Sequence, residues 1–364
     1  MKAITELNER IRVDVRVISA VNMEFRGDYG KGISVKLIWS ANNGVLSYIK
    51  VIFNGIAPLL KSTAVMFGLA GYKSLLLAIM ARMMGKKLFL RTSLIGYDDA
   101  HSITGQFKYK TGKLFISLMD TVICNSRLIE QSFRDMGYGA KTAYIPNGVD
   151  SCYYKPVDKN TLTDVRRSYN IPQNACVLVY SGSISERKNI HFLINALFEL
   201  KKLGGAFVLF LVGPLNTEKY PTFDKRYWQF IQGLISRSKL IDDVFFYSYD
   251  DQDAAIYQLA DIYVSASLAE GMPNAMLEAM SCGLPVVALD LDGNLDGIIR
   301  DGENGFSVRT EDPAYFANRV NLIATDPALK KMLAMRSREI IKSDYTIEQT
   351  ANGYLDLFCN ESRS

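Results

Sequence analysis

From residue 64 onward the sequence alternates short apolar runs with stretches of helical spacing, and it does so twice. AVMFG (64–68), KLFLRTS (87–93), TVICNS (121–126) and AYIPNG (143–148) have the length of strands, and helical segments near 71–85 and 127–136 separate some of them. A polar, Pro-containing piece follows, YKPVDKN (154–160). The rhythm then restarts with VLVYSGS (177–183), a helix over about 189–203, AFVLFLVG (206–213), a helix near 224–237, and DVFFYSY (243–249). A short helix (253–260), DIYVSAS (261–267), LPVVALD (284–290) and a helical tail complete the second series. Strands that alternate with helices bury both faces of a mostly parallel sheet, so each half is expected to be α/β and doubly wound. A length of 364 residues suits two such domains, and 48% hydrophobic content is enough to fill two cores. The boundary is expected at 155/156.

The start of the chain reads differently. Ile4, Leu7 and Ile11 share a helical face, Val13, Val15 and Val17 alternate with polar residues as in a strand, and FRGDYGKG (25–32) is loop-like. ISVKLIW (33–39) is a second strand candidate, and residues 45–61 have helical spacing.

Several classes are disfavoured. The five cysteines, Cys124, Cys152, Cys176, Cys282 and Cys359, are scattered, odd in number and lack a C-x-x-C, which fits a reducing compartment and buried thiols. The two histidines, His101 and His191, are not spaced as metal ligands, so no structural zinc is expected. The first residues turn polar at once, unlike a secretory signal, and the apolar region near 45–85 is interrupted by Lys50, Lys61, Lys73 and Arg82. GLAGYKS (68–74) has the wrong spacing for a P-loop, and YGKGIS is no dinucleotide fingerprint. A cytoplasmic protein without a nucleic-acid partner is expected.

Charge is uneven. Residues 1–158 hold 21 Lys and Arg against 12 Asp and Glu, a net +9, so the remainder of a +4 chain carries −5. A basic first half fits an anionic surface, such as the inner face of the cell membrane or a phosphate-bearing acceptor; it equally fits a solvated face with no partner. SLLLAIMARMMGKK (74–87), apolar with a basic end, could lie on an anionic leaflet or be core.

The segment EGMPNAMLEAMSCGLPVV (270–287) carries the chemistry. It follows a buried strand, opens a helix expected from about Asn274 to Cys282 with Pro273 at its first position, and closes with Gly283 and Pro285. The helix N-terminus therefore sits at the carboxyl end of a strand, where open α/β sheets bind ligands and where free N–H groups suit a phosphate. Glu278 is about one turn in, ~6 Å along the axis, where the ribose of a nucleotide could reach it. Glu270 precedes the helix, on the side where a sugar would project. With 38 acids in 364 residues, about four acid pairs at this spacing arise by chance, so the pair means little outside its strand–helix–strand setting. Two acids beside a diphosphate also require cations. SGSISERKN (181–189) offers them: a strand, a Gly182-Ser183 loop, then Arg187 and Lys188 at the expected start of a helix. Cations are electrostatically disfavoured there, which favours a ligand role over an ordinary helix start.

Together these strings resemble glycosyltransferase family 4, retaining enzymes of GT-B fold with an E-x7-E signature. TVICNSRLIEQSFRDMG with AYIPNGVD resembles the close of that family's first domain, and GNLDGIIRDGENGFSV (293–308) the stretch after its signature. The resemblance implies two Rossmann-like domains facing a cleft, with a final helix, about 346–364, packing back on the first domain. It implies that Glu278 holds the ribose and Glu270 the donor-sugar hydroxyls. Backbone N–H groups of Gly271, Met272, Pro273's neighbours and Asn274 would face the diphosphate or sugar. Arg187 and Lys188 would stabilise the leaving diphosphate, and Tyr249 would lie near the base. No cofactor or metal is implied; the donor would be a UDP- or GDP-linked hexose, and the acceptor a cell-surface polysaccharide or lipid-linked glycan.

Three departures stand out. Ser183 occupies a place where many members carry Arg. Thr92 and Ser93 follow the KLFLRTS strand where many carry His; the nearest His is His101, beyond Asp98 and Asp99, and these three could line the acceptor side or form a polar surface loop. The chain also begins as if inside the first helix, so a missing first strand is expected. The alternatives to a transferase are a GT-B binding or scaffold protein without turnover, and a nucleotide-sugar epimerase.

Overall fold

The computed structural model describes residues 18–19, 38–39 and 53–360, without 54, 58, 69, 108, 159–161, 164–165, 168–170, 172–173, 215–223, 249–253, 294 and 296. Readings that rest on the remainder, including the opening helix, the alternating valines, the question of a missing first strand, and Tyr249, lie outside the described residues. The chain forms two compact units, Met1–Pro146 with Glu348–Ser364, and Asn147–Ile347.

In the first unit, a short parallel pair joins β1 (Ile18–Ser19) to β2 (Ile38–Trp39). The main sheet is parallel, in the order β3 (Ala64–Phe67), β4 (Lys87–Thr92), β5 (Thr121–Cys124), β6 (Thr142–Tyr144). The two-residue period of a strand decides what each face buries. Leu88 and Leu90 of β4, with Val122 and Cys124 of β5, face a cluster that includes Ala78 and Ala81 of α1 (Tyr72–Met83). The same cluster holds Ile103 of α2 (Ala100–Gln106), Phe115 of α3 (Tyr109–Leu118), and Phe133 of α4 (Arg127–Asp135). Phe89 and Ile123, one residue over, face the opposite way onto Ala351, Tyr354 and Leu355 of the last helix, Ile347–Asn360. At roughly 1.5–3 kcal/mol per fully buried large apolar side chain, both covers matter to this small sheet.

The second unit has six parallel strands. In chain order they are β7 (Cys176–Ser181), β8 (Phe207–Gly213), β9 (Val244–Ser248), β10 (Ile262–Ser265), β11 (Val286–Leu289) and β12 (Gly305–Val308). Their order across the sheet is β12-β11-β10-β7-β8-β9. The chain therefore starts in the middle, winds out through β8 and β9, then returns to β10 beside β7 and winds the other way. Every residue of β8 is buried, as a central strand covered on both faces must be. Leu209 and Leu211 pack toward α5 (Ile190–Lys202), α6 (Lys225–Arg237) and α9 (Pro313–Thr325). Val208, Phe210 and Val212 pack toward α7 (Ala255–Gln258), α8 (Asn274–Ser281) and α10 (Pro327–Asp344). The last helix is α11. Aspartates cap the starts of α6, α9 and α10, and proline is the first residue of the latter two, each feature satisfying or removing an otherwise free N–H.

The units divide at Pro146/Asn147, ahead of the expected 155/156. The reason is packing. Val149 is buried in the core of the second unit, its N–H donates to the Tyr345 carbonyl at 2.9 Å, and its carbonyl accepts from the Ile347 N–H at 3.1 Å. The entering and leaving segments of this unit are thus tied side by side, and the YKPVDKN stretch lies within it. Among the described residues, no helix is long and apolar enough to cross a membrane.

Candidate active site

The strand order concentrates chemistry at one point. Where winding reverses, between β7 and β10, the loops leaving the two strands diverge to opposite faces and leave a crevice at their carboxyl ends. The loop after β7 is Gly182–Asn189, and the loop after β10 is Ala266–Pro273. They touch directly. The Leu268 N–H donates to the Arg187 carbonyl at 2.9 Å, and Arg187 Nη1 donates to the Ala269 carbonyl at 2.6 Å. The same guanidinium nitrogen is 3.6 Å from Glu270 Oε2, and Lys188 Nζ forms an ion pair with Glu270 Oε1. All three residues were candidates from the sequence; the fold brings them together, with the two cations beside the Glu270 carboxylate.

Local geometry explains how the cations get there. Arg187 and Lys188 do not open a helix. They form a single 3-10 turn, Glu186–Lys188, and Asn189 follows in the left-handed region at φ 54° before α5 begins at Ile190. A left-handed residue breaks the helical run, and Asn tolerates it better than most side chains. The correction removes the unfavourable placement of cations in a helix first turn. Upstream, the Tyr180 hydroxyl donates to the Ser183 carbonyl at 3.0 Å, and Ser183 Oγ lies 3.4 Å from Ser185 Oγ. A Cβ at Gly182 would overlap the Tyr180 hydroxyl, and one at Gly213 on β8 would overlap the Gly182 carbonyl, so both glycines permit this loop's close approach.

Gly271, Met272 and Pro273 are buried, and Asn274 is exposed. Pro273 is the cap of α8 and not its first residue, with φ −79° and ψ 95°, and supplies no side-chain acceptor for the first N–H groups. Asn274 Oδ1 accepts from Asn147 Nδ2 at 2.8 Å. A small pocket beneath the loop is lined by Ser265, Ser267, Glu270, Met276, Asp290 and Asp292, among others, and the buried Ser267 Oγ has no hydrogen-bond partner there.

Glu278 lies deeper along α8. Its Oε2 accepts from the Tyr257 hydroxyl of α7 at 2.6 Å. Burial pushes its carboxyl above the ordinary value, opposed by hydrogen bonds from Tyr257 and Tyr154. Neither tyrosine was singled out by sequence reading; nothing in the sequence distinguishes them among 20 tyrosines.

The first-unit candidates behave differently. Asp98 accepts from Ser93 N at 2.8 Å, Ser93 Oγ at 3.1 Å and Leu94 N at 2.7 Å. Asp99 caps α2 through the His101 and Ser102 N–H groups, both at 3.0 Å, and accepts from Gly96 N at 2.7 Å. Both are buried, at 6% and 5% exposure, and these carboxylates order the loop and the helix start. His101 is exposed at that helix start. Among the described residues no group of His, Cys, Asp and Glu is placed to hold a metal ion.

Comparison with known proteins agrees with this layout. Residues 163–340 match the family model described as Glycosyl transferases group 1. The lipopolysaccharide core biosynthesis glycosyltransferase LpsE of Rhizobium meliloti (strain 1021) is 27% identical over 265 residues, 73% of this chain and 72% of LpsE. The glycosyltransferase EpsD of Bacillus subtilis (strain 168), whose assignment is itself provisional, is 29% identical over 220 residues, 59% of this chain; the chain spans 55% of EpsD. Among solved structures, Anabaena HepE in complex with UDP-glucose superposes with a TM-score of 0.74 at 21% identity, covering 90% of this chain and 86% of HepE. The chain thus consists of two parallel-sheet α/β units that match GT-B structures, and its residues 163–340, which include Arg187, Lys188, Glu270 and Glu278, match the model of the group 1 glycosyltransferases.

Proposed function

We propose that the protein transfers a hexose, with retention of configuration, from a nucleotide sugar to a hydroxyl of a cell-surface polysaccharide or lipid-linked glycan intermediate, as a family 4 enzyme. The observation that carries this reading is the meeting of Arg187, Lys188 and Glu270 at the sheet's switch point, with Glu278 one helical turn beyond the uncapped start of α8. Breaking the bond between anomeric carbon and phosphate oxygen leaves a diphosphate whose new charge must be stabilised. Two cations held in a half-buried site do this without a metal ion. When the donor binds, Lys188 and Arg187 turn from Glu270 to the diphosphate, and the freed carboxylate accepts from sugar hydroxyls. Glu278 accepts from the ribose. The acceptor hydroxyl attacks the anomeric carbon from the face the diphosphate leaves, and a donor phosphate oxygen takes its proton. A UDP-linked glucose donor is supported by HepE, whose structures hold UDP and UDP-glucose, and a cell-surface glycan acceptor by LpsE, a lipopolysaccharide core biosynthesis glycosyltransferase. The basic first half of the chain supports an acceptor on an anionic membrane face.

A thermal-shift panel of nucleotide sugars followed by calorimetry tests the donor half of the proposal, since a ligand specific for the folded state raises the melting temperature. Glu278→Ala should weaken donor binding at least tenfold. Equal donor affinity in the variant would overturn the assignment of this site. Binding with neither transfer nor hydrolysis would favour the scaffold reading, and a changed donor sugar without acceptor the epimerase reading.

A further inference from the structure

The Glu278 carboxylate is enclosed by groups that sequence reading did not connect to it. Tyr257 comes from α7, the four-residue helix before β10, and its ring is 4% exposed in the core under the sheet. Its hydroxyl, the one polar atom of that side chain, reaches Glu278 Oε2 at 2.6 Å, the length of a strong bond to a charged acceptor. Tyr154 approaches from the segment that enters the unit. Its hydroxyl favours the charged carboxylate, its ring meets that of Tyr257 edge-on at 5.9 Å between centroids, and its carbonyl accepts from Ser281 Oγ on the same helix at 2.6 Å. The groups facing the carboxylate are therefore Tyr257 from α7, Tyr154 from the entering segment and Cys282 at the end of α8.

A packing role alone needs only the ring. Phenylalanine would fill the same space without the cost of a buried hydroxyl, so the phenol has meaning through the carboxylate it holds. We infer that Tyr257, backed by Tyr154, is a positioning residue that fixes the Glu278 carboxylate so that it is presented to the ribose of the nucleotide donor. The inference rests on the ribose role given to Glu278 above. A long carboxylate side chain left free would lose rotamer entropy on meeting ribose; one already held by a phenol loses less, and donor affinity gains accordingly. The two phenols also oppose burial, which drives the carboxyl toward its protonated form. Removing one donor leaves burial less opposed, so the carboxyl should take up its proton at a higher pH and the ribose should lose its charged acceptor earlier as pH falls.

The test is Tyr257→Phe, read in two ways. Carboxyl carbon NMR follows the titration of Glu278 in the ligand-free protein, and calorimetry follows the affinity of UDP, GDP or ADP, whichever binds the wild type most tightly, from pH 5 to 8. The expected result is a Glu278 titration moved to higher pH, affinity lowered about tenfold at pH 8, and an acid limb of the affinity profile displaced the same way. Donor KM should rise with little change in kcat. An unmoved titration overturns the inference; so does a moved titration with wild-type affinity at every pH. A Glu278→Ala protein that keeps wild-type affinity overturns the ribose reading itself, whereas affinity lost in Glu278→Ala and kept in Tyr257→Phe overturns the positioning role alone. Tyr154→Phe, which removes the second phenol from a half-buried ring, carries the same readouts should Tyr257→Phe not fold.

Discussion

Lys188 and Glu270 lie 82 residues apart in the chain and form an ion pair with side chains 15% and 16% exposed. Removing Lys188 leaves the Arg187 guanidinium beside Glu270 and, on the proposed function, takes one charge from the leaving diphosphate. Lys188→Ala is expected to lower kcat/KM for transfer by about 100-fold, measured with saturating acceptor, while the melting temperature changes little because the Arg187 guanidinium remains near Glu270. Glu278 allows a separate test of stability. Its carboxyl titrates above the ordinary value because it is buried, so the folded state binds the proton more tightly than the unfolded chain does. Any advantage of the protonated form is complete below the ordinary value of 4.5 and is lost as pH rises through the folded value. Glu278→Gln, neutral throughout, should therefore melt no higher than wild type near pH 4 and higher at pH 8. Thermal melts across that range check it; a gap independent of pH would mean that burial does not govern this carboxyl. Glu130 runs the other way. Arg134 and Arg127 hold its carboxyl below the ordinary value against the opposing effect of burial, so its contribution is present at neutral pH and fades in acid.

At the scale of elements, the site depends on two loops approaching closely enough to share hydrogen bonds. That approach is made possible by glycines on neighbouring strands. Gly213 ends β8 directly beside the Gly182 carbonyl, and a methyl there must displace backbone, which cannot yield as a flexible side chain can. Gly213→Ala should cost about 1–3 kcal/mol in urea unfolding and should weaken donor binding by shifting the 182–189 loop. Wild-type stability and affinity together would show that the loop accommodates the methyl. The helices that sequence periodicity identified, near 71–85, 189–203, 224–237 and after 273, all form. Helices α2 and α3 were not legible. AHSITGQ is short and polar, and its start at Asp99 is specified by a cap whose carboxylate also orders the preceding loop, a relation that appears only once the turn has closed. That is why the capping and loop-ordering bonds of Asp98 and Asp99 could not be read from the sequence.

For the whole molecule, the first unit is completed from the far end of the chain. Phe89 and Ile123, each 1% exposed, are covered by Tyr354 and Leu355 of α11, and the Tyr354 hydroxyl accepts from Arg91 Nε at 2.9 Å. A chain ending at residue 346 should expose that face. Its first-unit transition in urea is expected to move to lower denaturant, while that of the unit spanning 147–347 stays in place; coincident, unshifted transitions would refute the dependence. All the strands of the first main sheet, those of the second except β12, and the 270–287 string were readable from sequence because each is local: a run of apolar residues sets a strand, and Gly, Pro and a helical start set the loop after it. Tertiary structure alone decided that the loop after β7 and the loop after β10 are neighbours, because strand order is a property of how the chain winds and not of any window along it. It alone placed the Tyr257 hydroxyl on Glu278, and it alone moved the unit boundary to Pro146/Asn147, since burial and hydrogen bonding between distant residues exist only after the backbone has brought them within a few ångströms.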